Sequence, residues 1–214
     1  VGDAYAPDGW SYPSALPMGG VTAGSPAALV DALGVLHVVY AAPLNEGRGI
    51  YYLRFDRPAA DLGSGLAEAQ LRVVFDAQAA GFGAVDHPAL AIDPAGTLHV
   101  AWARGSSSGP FPPQAILHAQ SSDGGESWTE PVILAEGSYD WPLVAAPVAG
   151  EVHVLWNQAD ASAGWIHRWS LDYGQTWTYQ QQVRGFIGVP GPTALAADGA
   201  GDLHLVGLGR DDRD

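Results

Sequence analysis

The chain has 214 residues, with 9 Lys+Arg against 23 Asp+Glu and a formal net charge of −14. Because 47% of the residues are hydrophobic and only 15% are charged, the composition excludes an intrinsically disordered chain. A sequence pI near 4.5 argues against nucleic acid as a partner, which attracts basic surfaces. No apolar run reaches about 18 residues, so we expect no membrane insertion. The lack of cysteine excludes disulfides, thiolate metal sites and cysteine nucleophiles.

Glycine and proline are spread along the whole chain and leave little room for long helices. There are 28 Gly and 16 Pro, and both residues interrupt helical segments. Between them recur short apolar runs rich in β-branched residues, which is the pattern of β-strands. The sequence therefore predicts an all-β fold.

Four segments repeat one strand pattern, in which a histidine occupies the second place. Each segment follows a glycine-containing turn, and an apolar strand that opens with proline precedes each turn. In the first three units, two further strands are predicted after this pair. Four antiparallel strands in a unit of roughly 50 residues are typical of a β-propeller blade. The repeated segments are residues 36–40, 98–102, 152–156 and 203–206, and the opening prolines are Pro26, Pro88, Pro142 and Pro192.

The repeats divide one predicted propeller domain, residues 1–214, into four units. The fourth unit holds only two predicted strands, and residues 1–24 are the candidate for its missing outer strands. Closure by that segment would give a four-bladed ring, whereas the alternative is a fragment of a larger ring. The units span about 25–86, 87–140, 141–190 and 191–214.

Two copies of a short motif, Ser-x-Asp-x-Gly-x-(Ser/Thr)-Trp, lie between the third and fourth predicted strands of the second and third units. In such a hairpin the Asp side chain accepts backbone N–H bonds and the glycine supplies a positive φ. The Trp then covers the turn with a large apolar face. The residues are Ser121, Asp123, Gly125, Ser127 and Trp128 in one copy and Ser170, Asp172, Gly174, Thr176 and Trp177 in the other.

These two copies resemble the Asp box, or bacterial neuraminidase repeat, of the sialidase superfamily, and the resemblance covers roughly residues 25–214. It implies a secreted or cell-surface β-propeller in which Asp123 and Asp172 are scaffold residues on the face opposite the active site. A metal ion at the boxes is not expected, because a lone carboxylate beside Gly and Ser offers Ca²⁺ too few ligands. We expect no other cofactor.

The resemblance also implies a catalytic set, and the sequence does not supply it. A sialidase-like enzyme needs three arginines around the substrate carboxylate, a carboxylic acid and a Tyr–Glu pair. The Arg-Ile-Pro signature of the family is missing, and Arg57 with Pro58 is its nearest match. Arg48 and Arg104 are the arginines predicted on the substrate face, in loops between second and third strands. Three converging arginines cannot be assigned, so we do not expect catalysis by this segment alone.

The repeated histidines permit two interpretations. A ring of four imidazoles facing the axis would be a metal site. Packing between neighbouring blades suits the same strand alternation, and we favour packing because metal sites are rare. The second-strand histidines are His37, His99, His153 and His204, and His118 with His167, just before the boxes, are also predicted to be structural.

The better candidates for ligand contact lie where the chain enters its first strands. Asp86-His87 and Asp140-Trp141 are each followed by proline and hold the same place in successive units, next to the predicted axis. Loops of this kind gather into a concave site at a propeller mouth. An acid beside an aromatic ring can hold a sugar by hydrogen bonding and stacking. The alternative is that Trp141 plugs the channel and Asp140 caps a turn.

The favoured function is a non-catalytic module that binds a glycan or a surface protein, or serves a structural role. We favour this function because the scaffold motifs are intact while the catalytic motifs are missing. The alternative is an exo-acting glycoside hydrolase of sialidase type, or a fragment of one. A surface-layer or filament subunit is the third hypothesis.

Overall fold

The computed structural model describes residues 24–43, 46–58, 69–105, 113–158, 164–184, 187–188, 193–207 and 209–210. These ranges form strands and turns without a helix, which confirms the all-β prediction. Consequently, none of the described ranges contains a helix that could cross a membrane. The predicted contribution of residues 1–23 to ring closure falls outside the described residues.

Three four-stranded antiparallel sheets follow one another, each with its strands in chain order. Blade 1 comprises β1 Pro26–Val30, β2 Val35–Ala42, β3 Gly49–Pro58 and β4 Gln70–Asp76. Blade 2 comprises β5 Val85–Ile92, β6 Leu98–Arg104, β7 Ala115–Ser121 and β8 Val132–Glu136. Blade 3 comprises β9 Tyr139–Ala145, β10 Val152–Gln158, β11 Trp165–Ser170 and β12 Gln181–Gln182. The fourth unit pairs β14 Ala194–Ala197 with β15 Leu203–Val206. Its β16 Gly209–Arg210 pairs with β13 Ile187–Gly188, at the end of the third unit.

The first two strands of every unit pair in the same register. The second-strand histidine always lies opposite the same place of the first strand: His37 opposite Leu29, His99 opposite Ala91, His153 opposite Ala145 and His204 opposite Ala196. The four first strands then line one cavity of about 370 Å³. Four repeated sheets around one axial cavity are a β-propeller, as the repeats predict.

The cores lie between neighbouring blades. Successive residues of β6 point to opposite sides, so Val100 and Trp102 pack with blade 1 while Ala101 and Ala103 pack with blade 3. Trp102 is fully buried, and Trp156 fills the equivalent place between blades 2 and 3. A large ring on one side of a sheet and alanines on the other let adjacent blades fit closely.

Proline does not open every first strand, which corrects the sequence prediction. β1 begins at Pro26 as predicted, but Pro88 and Pro142 lie inside β5 and β9. A β-bulge interrupts the ladder at both prolines. The bulge takes proline out of the ladder, where its missing N–H would otherwise cost a hydrogen bond. Asp86 and Asp140 therefore lie within strands, not in loops before them.

Candidate functional site at the cavity mouth

The two ends of the sheets carry different groups of residues. β5 starts beside Asp86 and ends at Ile92, which pairs with Leu98, and Leu98 pairs with Ser121 at the start of a box. The end that bears His87 and the end that bears the boxes are therefore separated by the strand length, about 20 Å. We call the first end the mouth face and the second the box face.

Two identical bulges shape the mouth face. His87 has φ 48 and Trp141 has φ 52, in the left-handed region that bulky residues avoid. The Asp86 Oδ1 accepts the His87 backbone N–H at 2.8 Å, and the Asp140 Oδ1 accepts the Trp141 backbone N–H at 2.8 Å. Each left-handed residue costs about 1–3 kcal/mol, and such strain persists where surrounding contacts enforce it, commonly at functional sites. Each aspartate thus stabilises the strained backbone of the aromatic residue that follows it.

The two bulges are also joined to each other. His87 donates from Nδ1 to the Asp140 Oδ1 at 2.7 Å. The rings of His87 and Trp141 stack with centroids 3.8 Å apart and an interplanar angle of 18°. The His87 Nε2 lies 3.9 Å from the Asp86 Oδ2. One histidine of blade 2 therefore links both carboxylates to the indole of blade 3.

The charges around His87 change its protonation. Burial alone would lower the pKa of His87, but the hydrogen bond to Asp140 and the negative charges of Asp140 and Asp86 outweigh it, so the pKa is raised. The imidazole therefore carries its proton at higher pH than a free histidine does.

The axial cavity opens beside this cluster. Its volume of about 370 Å³ is within the range of ligand pockets, about 300–1,000 Å³. The lining combines the rings of His87 and Trp141 and the hydroxyl residues Ser25 and Thr193 with an otherwise apolar wall. Among the described residues it contains neither Asp86 nor Asp140. The wall consists of Pro26, Ala27, Pro88, Ala89, Leu90, Pro142, Leu143, Val144, Ala194 and Leu195.

The two arginine candidates lie outside the described cavity wall, although Arg104 pairs with Val85 at the mouth-face end of β5. Arg48 donates from Nε to the Phe82 carbonyl at 2.7 Å, and the Arg104 guanidinium lies 4.7 Å above the Phe82 ring. Arg104 is the last residue of β6, so its predicted place in a loop is wrong. Both arginines meet at the connection between blades 1 and 2, and neither is among the described residues that line the cavity.

The boxes on the box face are saturated with internal hydrogen bonds. Asp123 accepts the Ser121 hydroxyl at 2.7 Å, the Ser127 backbone N–H at 3.0 Å and the Ser127 hydroxyl at 2.5 Å. Asp172 accepts the equivalent donors of Ser170 and Thr176 at 2.6–2.8 Å. The Ser127 donors above all hold the pKa of Asp123 at about 2, and the Ser170 and Thr176 donors do the same for Asp172. Within the described ranges, no cluster of three metal-ligating side chains occurs at the boxes or elsewhere.

Each box docks on the third strand of the preceding blade. A Cβ on Gly125 would lie 2.1 Å from the Tyr52 ring, and one on Gly174 would lie 2.8 Å from the His118 ring. Edge-on ring contacts add to this fit. The ring centroids of Trp128 and Tyr52 lie 5.4 Å apart, and those of Trp177 and His118 lie 5.0 Å apart. The glycines and tryptophans of the boxes therefore fasten neighbouring blades together.

The second-strand histidines bond within their own units, and none of them lines the cavity among the described residues. His37, His99 and His153 hydrogen-bond to the equivalent third-strand residues Tyr52, His118 and His167 at 2.6, 3.2 and 3.0 Å. His204 instead contacts Asp198 at 3.1 Å. Tyr52 and His118, the partners of His37 and His99, form the surface on which the next box packs.

No protein-family model matches the chain, and no curated protein matches it by sequence. Solved structures do match it. The Hadza microbial sialidase Hz136 is 19% identical with a TM-score of 0.60, over 88% of this chain and 42% of that one. The α-L-arabinofuranosidase Arb93A of Fusarium graminearum is 13% identical with a TM-score of 0.59, over 82% and 53%. The α-L-arabinanase of Penicillium chrysogenum is 16% identical with a TM-score of 0.54, over 75% and 49%.

The chain thus spans about half the length, or less, of these three solved structures. At these identities the likeness shows the fold and not the chemistry. That fold is the β-propeller that these carbohydrate-active enzymes share.

Proposed function

We propose, from the sialidase-like β-propeller fold that this chain has, that it is a non-catalytic module that binds a glycan at the mouth of its axial cavity. One observation carries the proposal. Two successive units place an aromatic ring, His87 and Trp141, in the same strained bulge, and the two rings stack at the cavity wall.

The wall suits the chemistry of a sugar ring. Trp141 is half-buried and lines the cavity, so its indole can meet the C–H face of a pyranose or furanose. Ser25 and Thr193 add hydroxyl groups beside the apolar wall. Apolar stacking with a few polar groups is the usual composition of a small-molecule site.

The positions of the acids support binding rather than hydrolysis. Glycoside hydrolysis needs two carboxyl groups that flank the scissile bond. The Asp140 side chain is 4% exposed and accepts bonds from His87 and Trp141. The Asp86 carboxylate accepts the His87 backbone N–H. Both acids therefore hold the aromatic rings in place.

The test is a calorimetric titration with arabinobiose, lactose and cellobiose of the wild type and two alanine variants. Trp141→Ala removes the ring at the cavity, and Tyr179→Ala removes a ring that is 92% exposed, as the matched control. We expect at least one sugar to bind the wild type, with affinity lost by about 10-fold or more in Trp141→Ala and unchanged in Tyr179→Ala. Unaltered binding by a folded Trp141→Ala protein overturns the proposal.

A second candidate function is an exo-acting glycoside hydrolase, because the three solved structures named above are a sialidase, an arabinofuranosidase and an arabinanase. Fluorogenic sialoside and arabinofuranoside substrates distinguish it from the binding module. Our proposal expects no turnover. Turnover that Asp86→Asn and Asp140→Asn abolish would replace it with the hydrolase. A surface-protein partner and an extracellular location stay predictions.

A further inference from the structure

We infer that the saccharide at the mouth is uncharged, so that the site takes neutral sugars and rejects sialic and uronic acids. This inference rests on the proposed function and names the substrate class of the same site. Its basis is the distribution of charge around the cavity.

Negative charge dominates the mouth. The carboxylates of Asp86 and Asp140 flank one imidazole, at 3.9 Å from Nε2 and 2.7 Å from Nδ1. A protonated His87 leaves these three groups with a net charge of −1, and a neutral His87 leaves them with −2. The net charge of this cluster is therefore negative in either state of His87.

The described arginines do not offset this charge. None of them lines the cavity. Arg48 and Arg104 contact Phe82, while Arg72 bonds to Glu126 on the box face. Arg168 donates to the carbonyls of Thr178 and Leu134. A carboxylate is bound best by the guanidinium fork of arginine, and the described part of the cavity wall does not present one.

The apolar wall adds a second obstacle to anions. A sugar carboxylate that entered between the three prolines of the wall, Pro26, Pro88 and Pro142, would lose water. The imidazole of His87, which also lines the wall, is already bonded to Asp140 and lies beside Asp86, so it offers the sugar carboxylate little net positive charge. A hydroxymethyl group at the same place loses far less hydration. The wall therefore favours the C–H faces and hydroxyl groups of a neutral ring.

The experiment compares matched sugars on the whole chain. The neutral series is methyl glucoside, methyl galactoside, methyl mannoside and lactose. The acidic series is the methyl glycosides of glucuronic, galacturonic and mannuronic acid, with free carboxylates, and 3′-sialyllactose. At about 0.02 M salt, some of the neutral sugars should bind. For each of these, we expect an affinity about 10-fold or more higher than that of its acidic partner. This difference should shrink only in part at about 0.5 M salt, because the Asp86 and Asp140 side chains are 16% and 4% exposed and buried charges are screened less than exposed ones.

Two variants locate the cause of the discrimination. Asp86→Asn keeps an oxygen that can accept the His87 backbone N–H but removes one charge, so the difference between the series should fall to about threefold. Asp198→Asn removes a charge from the β14–β15 turn on the box face and should leave the difference intact.

The outcomes separate the two proposals. Equal or tighter binding of the acidic series, with Trp141→Ala still weakening it, overturns the neutral-sugar inference and leaves glycan binding standing. An unchanged difference in Asp86→Asn also overturns the inference, because the carboxylate would not be its cause. Failure of both series to bind removes the proposed function and the inference with it.

Discussion

Aspartate side chains accept backbone N–H bonds on both faces of the propeller, but the residues with left-handed backbone differ between the faces. On the box face the left-handed positions are largely glycines, such as Gly124, Gly125 and Gly174. On the mouth face they are His87 and Trp141. Glycine enters that region without a steric cost, whereas a bulky side chain does not. Asp123 and Asp172 accept the N–H four residues on, across turns whose left-handed residues are glycines and Tyr173. On the mouth face, Asp86 and Asp140 each accept the N–H of the strained residue that follows.

The pKa values of the histidines also differ between the two faces. On the mouth face the carboxylates raise the pKa of His87 despite its burial. Toward the box face, burial lowers the pKa of His99 to about 4, and burial with the neighbouring His99 lowers that of His118 well below the ordinary value. The carboxylates beside His87 and the burial of His99 and His118 therefore shift the pKa values of these imidazoles in opposite directions.

The largest expected effect is on the box face. Gly125→Ala would set a Cβ 2.1 Å from the Tyr52 ring at φ +92, whereas Gly96→Ala at φ +87 meets nothing within 4 Å. We expect Gly125→Ala to lower the free energy of unfolding by about 2–5 kcal/mol, through both overpacking and backbone strain. Gly96→Ala should cost only the strain, about 1–2 kcal/mol. Chemical denaturation measures both, and equal losses would contradict the docking of the box on blade 1.

Acid should unfold the protein through its buried histidines. His99 and His167 have pKa values lowered to about 4 by burial, so their stability contribution is present above the unfolded value of 6.5 and is lost as pH falls from there toward 4. A fully developed shift of this size corresponds to about 3 kcal/mol for one imidazole. Urea unfolding at pH 7 and pH 4.5 checks this, with His99→Gln expected to weaken the pH dependence. A free energy of unfolding that stays flat across this range would refute the role of burial.

A smaller effect is expected on the mouth face from Asp140→Asn, with the opposite pH dependence. Because the pKa of His87 is raised, its contribution is full below the unfolded value and is lost as pH rises through the folded one. The substitution should cost about 1–2 kcal/mol at pH 6, since a charge-assisted bond becomes neutral. It should also lower the His87 pKa, measured by NMR titration of the imidazole. An unmoved His87 pKa would show that Asp140 does not charge the ring.

The smallest effect concerns a surface contact between blades 1 and 2. Arg72 donates to Glu126 at 2.7 Å, with side chains 34% and 52% exposed. Exposed ion pairs contribute about 0–1 kcal/mol, so Arg72→Ala should change the free energy of unfolding by no more than this. A double-mutant cycle with Glu126→Gln measures the coupling. A coupling above about 2 kcal/mol would mean that this pair, rather than the box, fastens the blades.

The sequence was sufficient to predict much of the fold because its signals are local. The histidine of the second strand recurs in every unit, and the structure places it in the same register in all four. The Asp boxes recur in the second and third units. The common position of Asp86-His87 and Asp140-Trp141 also follows from the repeats. What the repeats could not show is the bulge, the left-handed φ or the stacking of the two rings, since these depend on contacts between blades.

One signal in the sequence was missed. An aspartate precedes the second-strand histidine by six residues in three units, as Asp31, Asp93 and Asp198, with a glycine midway. Each of these aspartates accepts two backbone N–H groups of its turn at 2.8–3.0 Å. The third unit has Pro147 at this place. There the Asp93 Oδ2 reaches across from blade 2 to the Gly150 backbone N–H at 3.1 Å.

Indole NMR tests the central claim most directly, because the chain has eight tryptophans and they report on both faces at once. A neutral sugar that binds is titrated into ¹⁵N-labelled protein, with the Trp141 indole assigned through Trp141→Phe. We expect the Trp141 indole signal to shift in a saturable manner while those of Trp128 and Trp177 stay in place. Shifts confined to Trp128 or Trp177 would put the ligand on the box face and contradict binding at the cavity mouth.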